Sequence, residues 1–554
     1  METPWLQNYD PLHNTVLSTL MAALPVIILL SSITIFRMRI HFAAIIGVAA
    51  AVGIAIFIYH MPAKIAAATT AFGGANGLFP IGWIILNLIF LYQLTVNKGL
   101  FKIIRQHLGT IAPDPRIQVI LVAFSFGAFF EGAAGFGTPI AITAAILIQL
   151  GFRPLAACGL SLIANTAPVA FGALGTPIIA LSSVTGLDLQ HLSAMIGRQL
   201  PFFSFIVPFW VVCAMSGFRG MLGVWPAAFV AGLFFAIPQF LISNFHGPWL
   251  VDTTASICSI AAVIILLRFW QPKTLWKLQK TGDEIPSEIQ TSVSAKGKLQ
   301  AWLPWILLTV FIFMWGLPFV KNAFNGIAAP KFKFAYLHNA VSRTPPIVPA
   351  PTPGNPTKPE EAVFTLNWIS ATGSGILVAA IVAGFIMGYS IKQMVKIYLQ
   401  TLWRVRFSLI TIAAMLALGY VTKYSGEDAT IGLALARTGT LYPFFGTMLG
   451  WLGVALTGSD TASNVLFGSL QVITAKQTHI SPILMAAANS SGGVMGKMVD
   501  AQSIVVASTA TNWYGHEGKI LRYVFFHSLV LAALVGILVT LQAYVIPFVY
   551  MVVK

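Results

Sequence analysis

Four short stretches place polar or ionisable side chains inside sequence that is otherwise apolar. Glu131 stands in Glu131-Gly132-Ala133-Ala134-Gly135-Phe136-Gly137-Thr138-Pro139, with apolar residues on both sides. An ionisable group in such surroundings is costly to keep, so it marks a ligand or proton path by default. Two roles suit Glu131: a proton carrier, or a carboxylate that caps free N–H groups of a loop. Asp460, in Thr457-Gly458-Ser459-Asp460-Thr461-Ala462-Ser463-Asn464, has four hydroxyls and an amide close by that can coordinate an ion or the oxygens of a substrate. The competing role is an Asp N-cap for a helix that starts there. Lys497, at the end of Asn489-Ser490-Ser491-Gly492-Gly493-Val494-Met495-Gly496-Lys497, is a cation for an anionic substrate or a structural partner of Asp460 or Asp500. In Asn165-Thr166-Ala167-Pro168 and in Asn489-Ser490-Ser491-Gly492, amides and hydroxyls can bond both a carboxylate and an α-hydroxyl.

Gly137-Thr138-Pro139 and Gly175-Thr176-Pro177 read as helix starts, a hydroxyl N-cap followed by Pro at the first helical position. Free N–H groups and the positive dipole end at such a start suit a carboxylate or other small anion. Arg437 is a weaker candidate, placed to snorkel to a membrane surface.

Other chemistries find no footing. Gly492 to Lys497 superficially suggests a phosphate loop, yet Ser491 stands where the first Gly belongs and Met498 where Ser or Thr is required. Cys158, Cys213 and Cys258 have no partner at metal or redox spacing and read as small core hydrophobes. His191, His479 and His527 have no metal-like spacing, and no nucleophile and base pair is discernible. No catalytic residue, cofactor or metal is therefore expected, and no enzyme.

The elements that must position these groups are membrane helices. Of 554 residues, 57% are hydrophobic and 9% charged, and mean hydropathy is +0.83. A soluble chain carries about 25% charge. A span needs roughly 20 apolar residues, and this chain supplies such runs repeatedly, which predicts an all-α polytopic membrane protein. The net charge of +16 reflects basic residues gathered in short loops, not a nucleic-acid surface. The apolar run from Thr15 to Phe36 follows a leader without Lys or Arg and is expected to be a retained span.

Ten plain spans are expected near 15–36, 42–59, 79–97, 199–217, 221–243, 253–269, 300–319, 363–389, 407–424 and 522–550. Four further apolar segments, 117–150, 154–186, 441–477 and 481–511, are too long for one crossing and are interrupted by Gly, Pro, Ser, Thr or Asn. With the N-terminus outside, inner loops hold 20 of the 32 Lys and Arg, as orientation requires. That count closes only if 117–150 and 441–477 turn back as re-entrant hairpins, giving about twelve crossings, two hairpins and both termini outside. Four regions follow: N-terminal scaffold helices 1–78; a first repeat 79–217, with hairpin 117–150 and broken helix 154–186; connecting helices and a Pro-rich outer loop in 218–362; and a second half 363–554, with hairpin 441–477 and broken helix 481–511. The second half repeats the first upside down. Interrupted segments at corresponding positions of inverted halves point to a transporter's substrate site near the midplane.

At the interruptions the sequence becomes specific. EGAAGFGTPIAITAA (131–145), NTAPVAFGALGTPI (165–178), GWLGVALTGSDTASNVLFG (450–468) and GGVMGKM (492–498), with QNYDP at 7–11 and LQAYV at 541–545, closely resemble the bacterial L-lactate permease family across nearly the whole chain. The resemblance implies proton-coupled symport of L-lactate, with D-lactate and glycolate as related substrates, across the bacterial inner membrane. It also implies a place in the ion-transporter superfamily, whose members have two re-entrant hairpins. On that reading Lys497, Asn165, Thr166, Thr138, Ser459, Thr461, Asn464, Asn489 and Ser490 hold substrate, and Glu131 or Asp460 takes the proton. The partners are a small monocarboxylate, protons and the lipid bilayer, without nucleic acid; the oligomeric state stays open, a homodimer among the options. A sodium-coupled carboxylate carrier, with the tip at 457–464 as cation site, is the alternative. An anion channel would need a continuous polar pore.

Overall fold

The computed structural model describes residues 4–34, 36, 38–100, 103, 112–133, 135, 138–276, 295–348, 359–513 and 516–553. Helices dominate, because in lipid a helix satisfies its own backbone polar groups while its side chains face hydrocarbon. Among the described residues, seven helices are long and apolar enough to cross a membrane. An eighth is added when Pro154–Ala164 and Val169–Thr185, bent by 65°, count as one span. Five shorter apolar helices, including Thr15–Leu29, His41–Phe57 and Thr372–Ile386, accompany them.

One order of elements occurs twice. A 35-residue helix Ala63–Asn97 is followed by helices Pro115–Ala133 and Thr138–Gln149, the bent pair, and a helix ending at Leu222. A 35-residue helix Ile391–Ser425 is followed by Tyr442–Thr457 and Asp460–Gln477, the broken pair Pro482–Gly496 and Ala501–Ala510, and Glu517–Tyr544. The two 35-residue helices cross at a Gly73-x-x-x-Gly77 stripe. A Cβ on Gly73 would lie 2.6 Å from Ala417 Cα, and one on Gly77 would lie 2.8 Å from Ala413 Cα. Small residues that let backbones meet are a standard device of membrane helices.

Both long helices differ from the expected spans. The run 79–97 is the second part of a longer element, which leaves helical geometry at Phe79 (φ −137°, ψ 124°) before Pro80, where proline removes a ladder N–H. Residues 391–406, expected as an inner loop because of Lys392, Lys396, Arg404 and Arg406, are helical. Ser390 and Gln393 form a capping box at the start, and Met394, Ile397, Thr401 and Val405 bury one face. That three-to-four spacing outweighs the charges, most of which project outward.

The loop 320–362 is also more ordered than its prolines suggested. It contains helix Pro318–Ile327, and strand Lys331–Lys333 pairs antiparallel with Val363–Thr365. Strand Val341–Ser342 pairs in parallel with Trp5–Leu6. The N-terminal segment is thereby strapped across the molecule. Gln7 donates to the carbonyls of Lys423 (3.0 Å) and Tyr424 (2.8 Å), and Tyr9 donates to Gln7 Oε1 at 3.0 Å. Four of the loop's prolines, Pro349, Pro351, Pro353 and Pro356, lie outside the described residues.

Candidate binding site

Each half contains a reversal of the chain. In the first, a Cβ on Gly127 would lie 3.2 Å from Thr143 Cγ2. A continuous helix would separate positions 127 and 143 by ~24 Å, so Pro115–Ala133 and Thr138–Gln149 fold back on each other. In the second, Ser463 Oγ donates to the Gly450 carbonyl at 3.1 Å, across the turn between Tyr442–Thr457 and Asp460–Gln477. Gly458 makes that turn at φ +73°, a conformation glycine adopts without penalty.

The bent and broken helices meet these turns. In the first, Ala173, Leu174 and Gly175 all adopt left-handed backbone (φ 44°, 57° and 76°). The two non-glycine residues cost about 1–2 kcal/mol each there. Thr176 does not cap the resumed helix as its Gly-Thr-Pro context predicted: its hydroxyl donates to the Gly172 carbonyl at 3.4 Å. In the second, Pro482–Gly496 stops at Lys497 and the chain resumes as Ala501–Ala510, where Asp500 Oδ1 accepts the Ser503 N–H at 2.7 Å. Asn489 and Ser490 therefore sit inside a continuous helix, not in the break.

A cavity of about 190 Å³ opens where these pieces converge. From the first half it is lined by Glu131, Gly135 and the bend 172–177; from the second, by 458–462, Lys497 and Gln502. The start of helix Asp460–Gln477 faces it, capped by Ser459, whose Oγ accepts the Ala462 N–H at 3.2 Å. The cap is thus Ser459 and not Asp460. Lys497 Nζ donates to the Gly458 carbonyl at 2.5 Å and lies 3.5 Å from Asp500 Oδ2, so the ammonium ties the broken helix to the hairpin turn and lines the cavity as well.

Each tip carboxylate lies against a glycine of the interrupted helix beside it. A Cβ on Gly172 would lie 2.7 Å from Glu131 Oε1, and one on Gly493 would lie 2.6 Å from Asp460 Oδ1. Both acids are buried, Glu131 at 4% exposure and Asp460 at 3%.

Behind Asp460 runs a polar chain that does not reach the cavity. Asp460 Oδ2 accepts from Ser490 Oγ at 2.5 Å and from Asn464 Nδ2 at 3.2 Å. Asn489 Nδ2 donates to Asn464 Oδ1 at 2.9 Å, Gln471 Nε2 donates to Asn489 Oδ1 at 3.1 Å, and Tyr442 donates to Gln471 Oε1 at 2.6 Å. Asn464 also donates to the Pro177 carbonyl at 3.2 Å, which links the second hairpin to the first bend. Buried hydrogen-bonded networks of this kind fix geometry, although the second Asp460 oxygen, Oδ1, has no partner.

The structure brings Glu131, Ser459, Asp460, Thr461 and Lys497 to one cavity and places Asn464, Asn489 and Ser490 in the network behind it. The Asn165 amide stands beside the Glu131 carboxyl without a hydrogen bond of ordinary geometry. Thr166 Oγ donates to the Ile163 carbonyl at 2.8 Å. The Thr138 side chain lies outside the described residues, as do Ala134, Phe136 and Gly137 of the first tip. Arg437 lines a separate cavity with Asp10 and Thr430.

One wall went unread in the sequence. Ser408, Thr411, Ile412 and Met415 of helix Ile391–Ser425 face the cavity; their i, i+3, i+4, i+7 spacing, with two hydroxyls, is a legible helix face. Gln502 also lines it.

Known proteins resemble this chain along nearly its whole length. A family model described as L-lactate permease matches residues 18–546. The glycolate permease GlcA of Escherichia coli (strain K12) is 44% identical over 560 residues, with 98% of each chain covered. The L-lactate permease of Bacillus subtilis (strain 168) is 43% identical over 555 residues, covering 98% of this chain and 99% of that one. Among solved structures, the Alcanivorax borkumensis YdaH transporter matches at 13% identity, covering 85% of this chain and 87% of its own, with a TM-score of 0.43, too low to support an argument from fold. The curated relatives are permeases and not enzymes, which together with the apolar helices makes this a multi-pass protein of the bacterial inner membrane. The chain belongs to the L-lactate permease family.

Proposed function

We propose that the protein is a proton-coupled symporter of L-lactate and related 2-hydroxymonocarboxylates, D-lactate and glycolate among them. The observation that carries this reading is the shared cavity, into which both chain reversals and both interrupted helices deliver residues. Lys497 and the start of helix Asp460–Gln477 give one side of it positive potential, which suits a carboxylate. The hydroxyls of Thr176, Ser459 and Thr461 suit an α-hydroxyl. Glu131 and Asp460, on opposite halves, are the two groups that can take a proton along with the anion. The names of the relatives, glycolate permease and L-lactate permease, support the substrate class.

In this reading the two reversals are re-entrant hairpins, the first entered from inside and the second from outside. About twelve helices cross, and the regions 79–217 and 363–554 are inverted repeats. Inverted halves that meet at a midplane site give alternating access by moving one part against the other.

The test is uptake of labelled L-lactate into proteoliposomes under an inward proton gradient, with and without sodium, and with glycolate and succinate as competitors. Sodium-independent uphill uptake blocked by glycolate and not by succinate is expected. Dependence on sodium, or competition by succinate, overturns the proposal. Glu131→Gln is expected to abolish proton-driven accumulation and spare lactate exchange; full accumulation by that variant removes Glu131 from the mechanism.

A further inference from the structure

Helix Val251–Phe269 begins against the tip of the first hairpin. Asp252, in its first turn, is 1% exposed. Neither of its carboxylate oxygens has a hydrogen-bond partner, and the hydroxyl of the adjacent Thr253 has none either. Buried polar groups are normally satisfied, so an unpartnered carboxyl calls for an explanation. Its neighbour is the tip itself: a Cβ on Gly132 would lie 2.8 Å from Asp252 Cβ and 3.2 Å from Thr253 Oγ1. Only the missing side chain at 132 lets the two elements come this close. Glu131, the next residue along, has one carboxylate oxygen without a partner as well.

The charges around Asp252 are few. Helix Trp225–Phe245, packed along Val251–Phe269, contains no Asp, Glu, Lys or Arg, and neither does Gly172–Thr185. The hairpin arm contributes Glu131 and, near its far end, Arg116; the connection before the Asp252 helix holds His246; on its own helix Asp252 has Cys258 and the distant Arg268. Glu131 is the charged group that acts on Asp252, whereas Glu131 itself also feels Lys497 and Asp500. Asp252 does not line the substrate cavity, and Glu131 does. Beyond Asp252 lies the short connection 246–250, where Pro248 packs over Gly175 of the first bend.

We propose that Asp252 is a proton-relay residue, a station that exchanges protons with Glu131 at the cavity across the contact it makes with Gly132. A proton from water joins the Asp252 carboxylate and then leaves that carboxyl for the unpartnered oxygen of Glu131. Asp252 is again a carboxylate, and Glu131 carries the proton that accompanies substrate. No electron pair or covalent bond to substrate changes hands. Two buried carboxyls on touching elements, Asp252 against Gly132 and Glu131 next to that glycine in sequence, are suited to share one proton.

The inference rests on the symport reading, so the experiment separates the two. Wild type, Asp252→Asn and Asp252→Glu are reconstituted in proteoliposomes. Three quantities are measured: lactate accumulation driven by a proton gradient, lactate exchange at equal pH, and acidification of an enclosed dye when lactate is added outside. Asp252→Asn is expected to lose about a hundredfold of lactate-coupled acidification while exchange stays near wild type, and Asp252→Glu to restore acidification with a shifted pH profile. Wild-type acidification by Asp252→Asn, or a loss of exchange in proportion to acidification, overturns the relay and leaves symport standing. A wild type that moves no protons with lactate overturns symport and the relay with it. Should Asp252→Asn not assemble, Asp252→Glu decides alone, and an unchanged pH profile of uptake overturns the relay.

Discussion

Adding one methyl group at Gly172 tests whether the Glu131 carboxyl must occupy the place the structure gives it. Gly172 has φ −60° and ψ 156°, a backbone that alanine adopts freely, so Gly172→Ala perturbs space and not conformation. Its Cβ would lie 2.7 Å from Glu131 Oε1, 3.1 Å from Cγ and 3.3 Å from Cδ, where ordinary contact starts at 3.4 Å. The carboxyl must therefore withdraw by about 0.7 Å, the difference between 3.4 and 2.7 Å. Overpacking of this kind costs about 1–3 kcal/mol, equivalent to roughly 5- to 150-fold in a coupled equilibrium. Proton-driven accumulation in proteoliposomes is expected to fall within that range, while exchange at equal pH falls less. The double variant Gly172→Ala with Glu131→Asp shortens the acid by one methylene and is expected to regain exchange relative to Gly172→Ala alone, a coupling that a double-mutant cycle isolates. Accumulation by Gly172→Ala at the wild-type level, with no coupling to Glu131→Asp, would refute the close packing of tip and bend.

Three further outcomes follow from other contacts. Asn489→Leu leaves Asn464 Oδ1 and a Gln471 N–H without their partner, at about 1–3 kcal/mol per orphaned group; the unfolding midpoint in detergent is expected to drop while the KM for lactate moves little, because Asn489 does not line the cavity. Lys497→Met removes the cavity's cation, and with charged hydrogen bonds worth about 1.5–3 kcal/mol the KM for lactate is expected to rise at least tenfold; an unchanged KM with a lowered midpoint would reduce Lys497 to its tie with Gly458. Asp114→Ala strips Arg116 of a two-point ion pair (2.7 and 3.0 Å) that is almost wholly buried. Breaking such a pair costs about 3–5 kcal/mol, and thermal unfolding of Asp114→Ala against Asp114→Ala/Arg116→Leu is expected to show the second variant as the more stable.

The sequence made the interruptions visible and not their partners. Gly, Pro, Ser, Thr and Asn inside apolar runs are signals within a dozen residues of one another, so the turns near 134 and 458, the bend near 173 and the break at 497 could be located. What each polar group bonds is decided across far greater separations: Asn464 meets Pro177, and Ser490 meets Asp460. Asn489 and Ser490 were thus expected at a site and stand one layer behind it. Asp252 escaped notice because it sits at the edge of an ordinary span; the available signal was rarity, since 554 residues contain only 16 Asp and Glu. Residues 391–406, counted among the inner loops, form part of a long helix that carries most of its Lys and Arg on an exposed face. The strands escaped for the same reason as the networks, since Trp5–Leu6 finds its partner at Val341–Ser342.

The strap at the N-terminus has a consequence for how the chain is made. Gln7 bonds the carbonyl of Tyr424, 417 positions further on, so its acceptor does not exist until three-quarters of the protein has been synthesised. At ~5–20 residues per second that delay is roughly 20 to 80 s, during which the first helices are already in the bilayer and the leader hangs unattached. Its docking is therefore a late, sealing event in biogenesis, and a bulky tag fused before Trp5 is positioned to hinder assembly more than catalysis of transport.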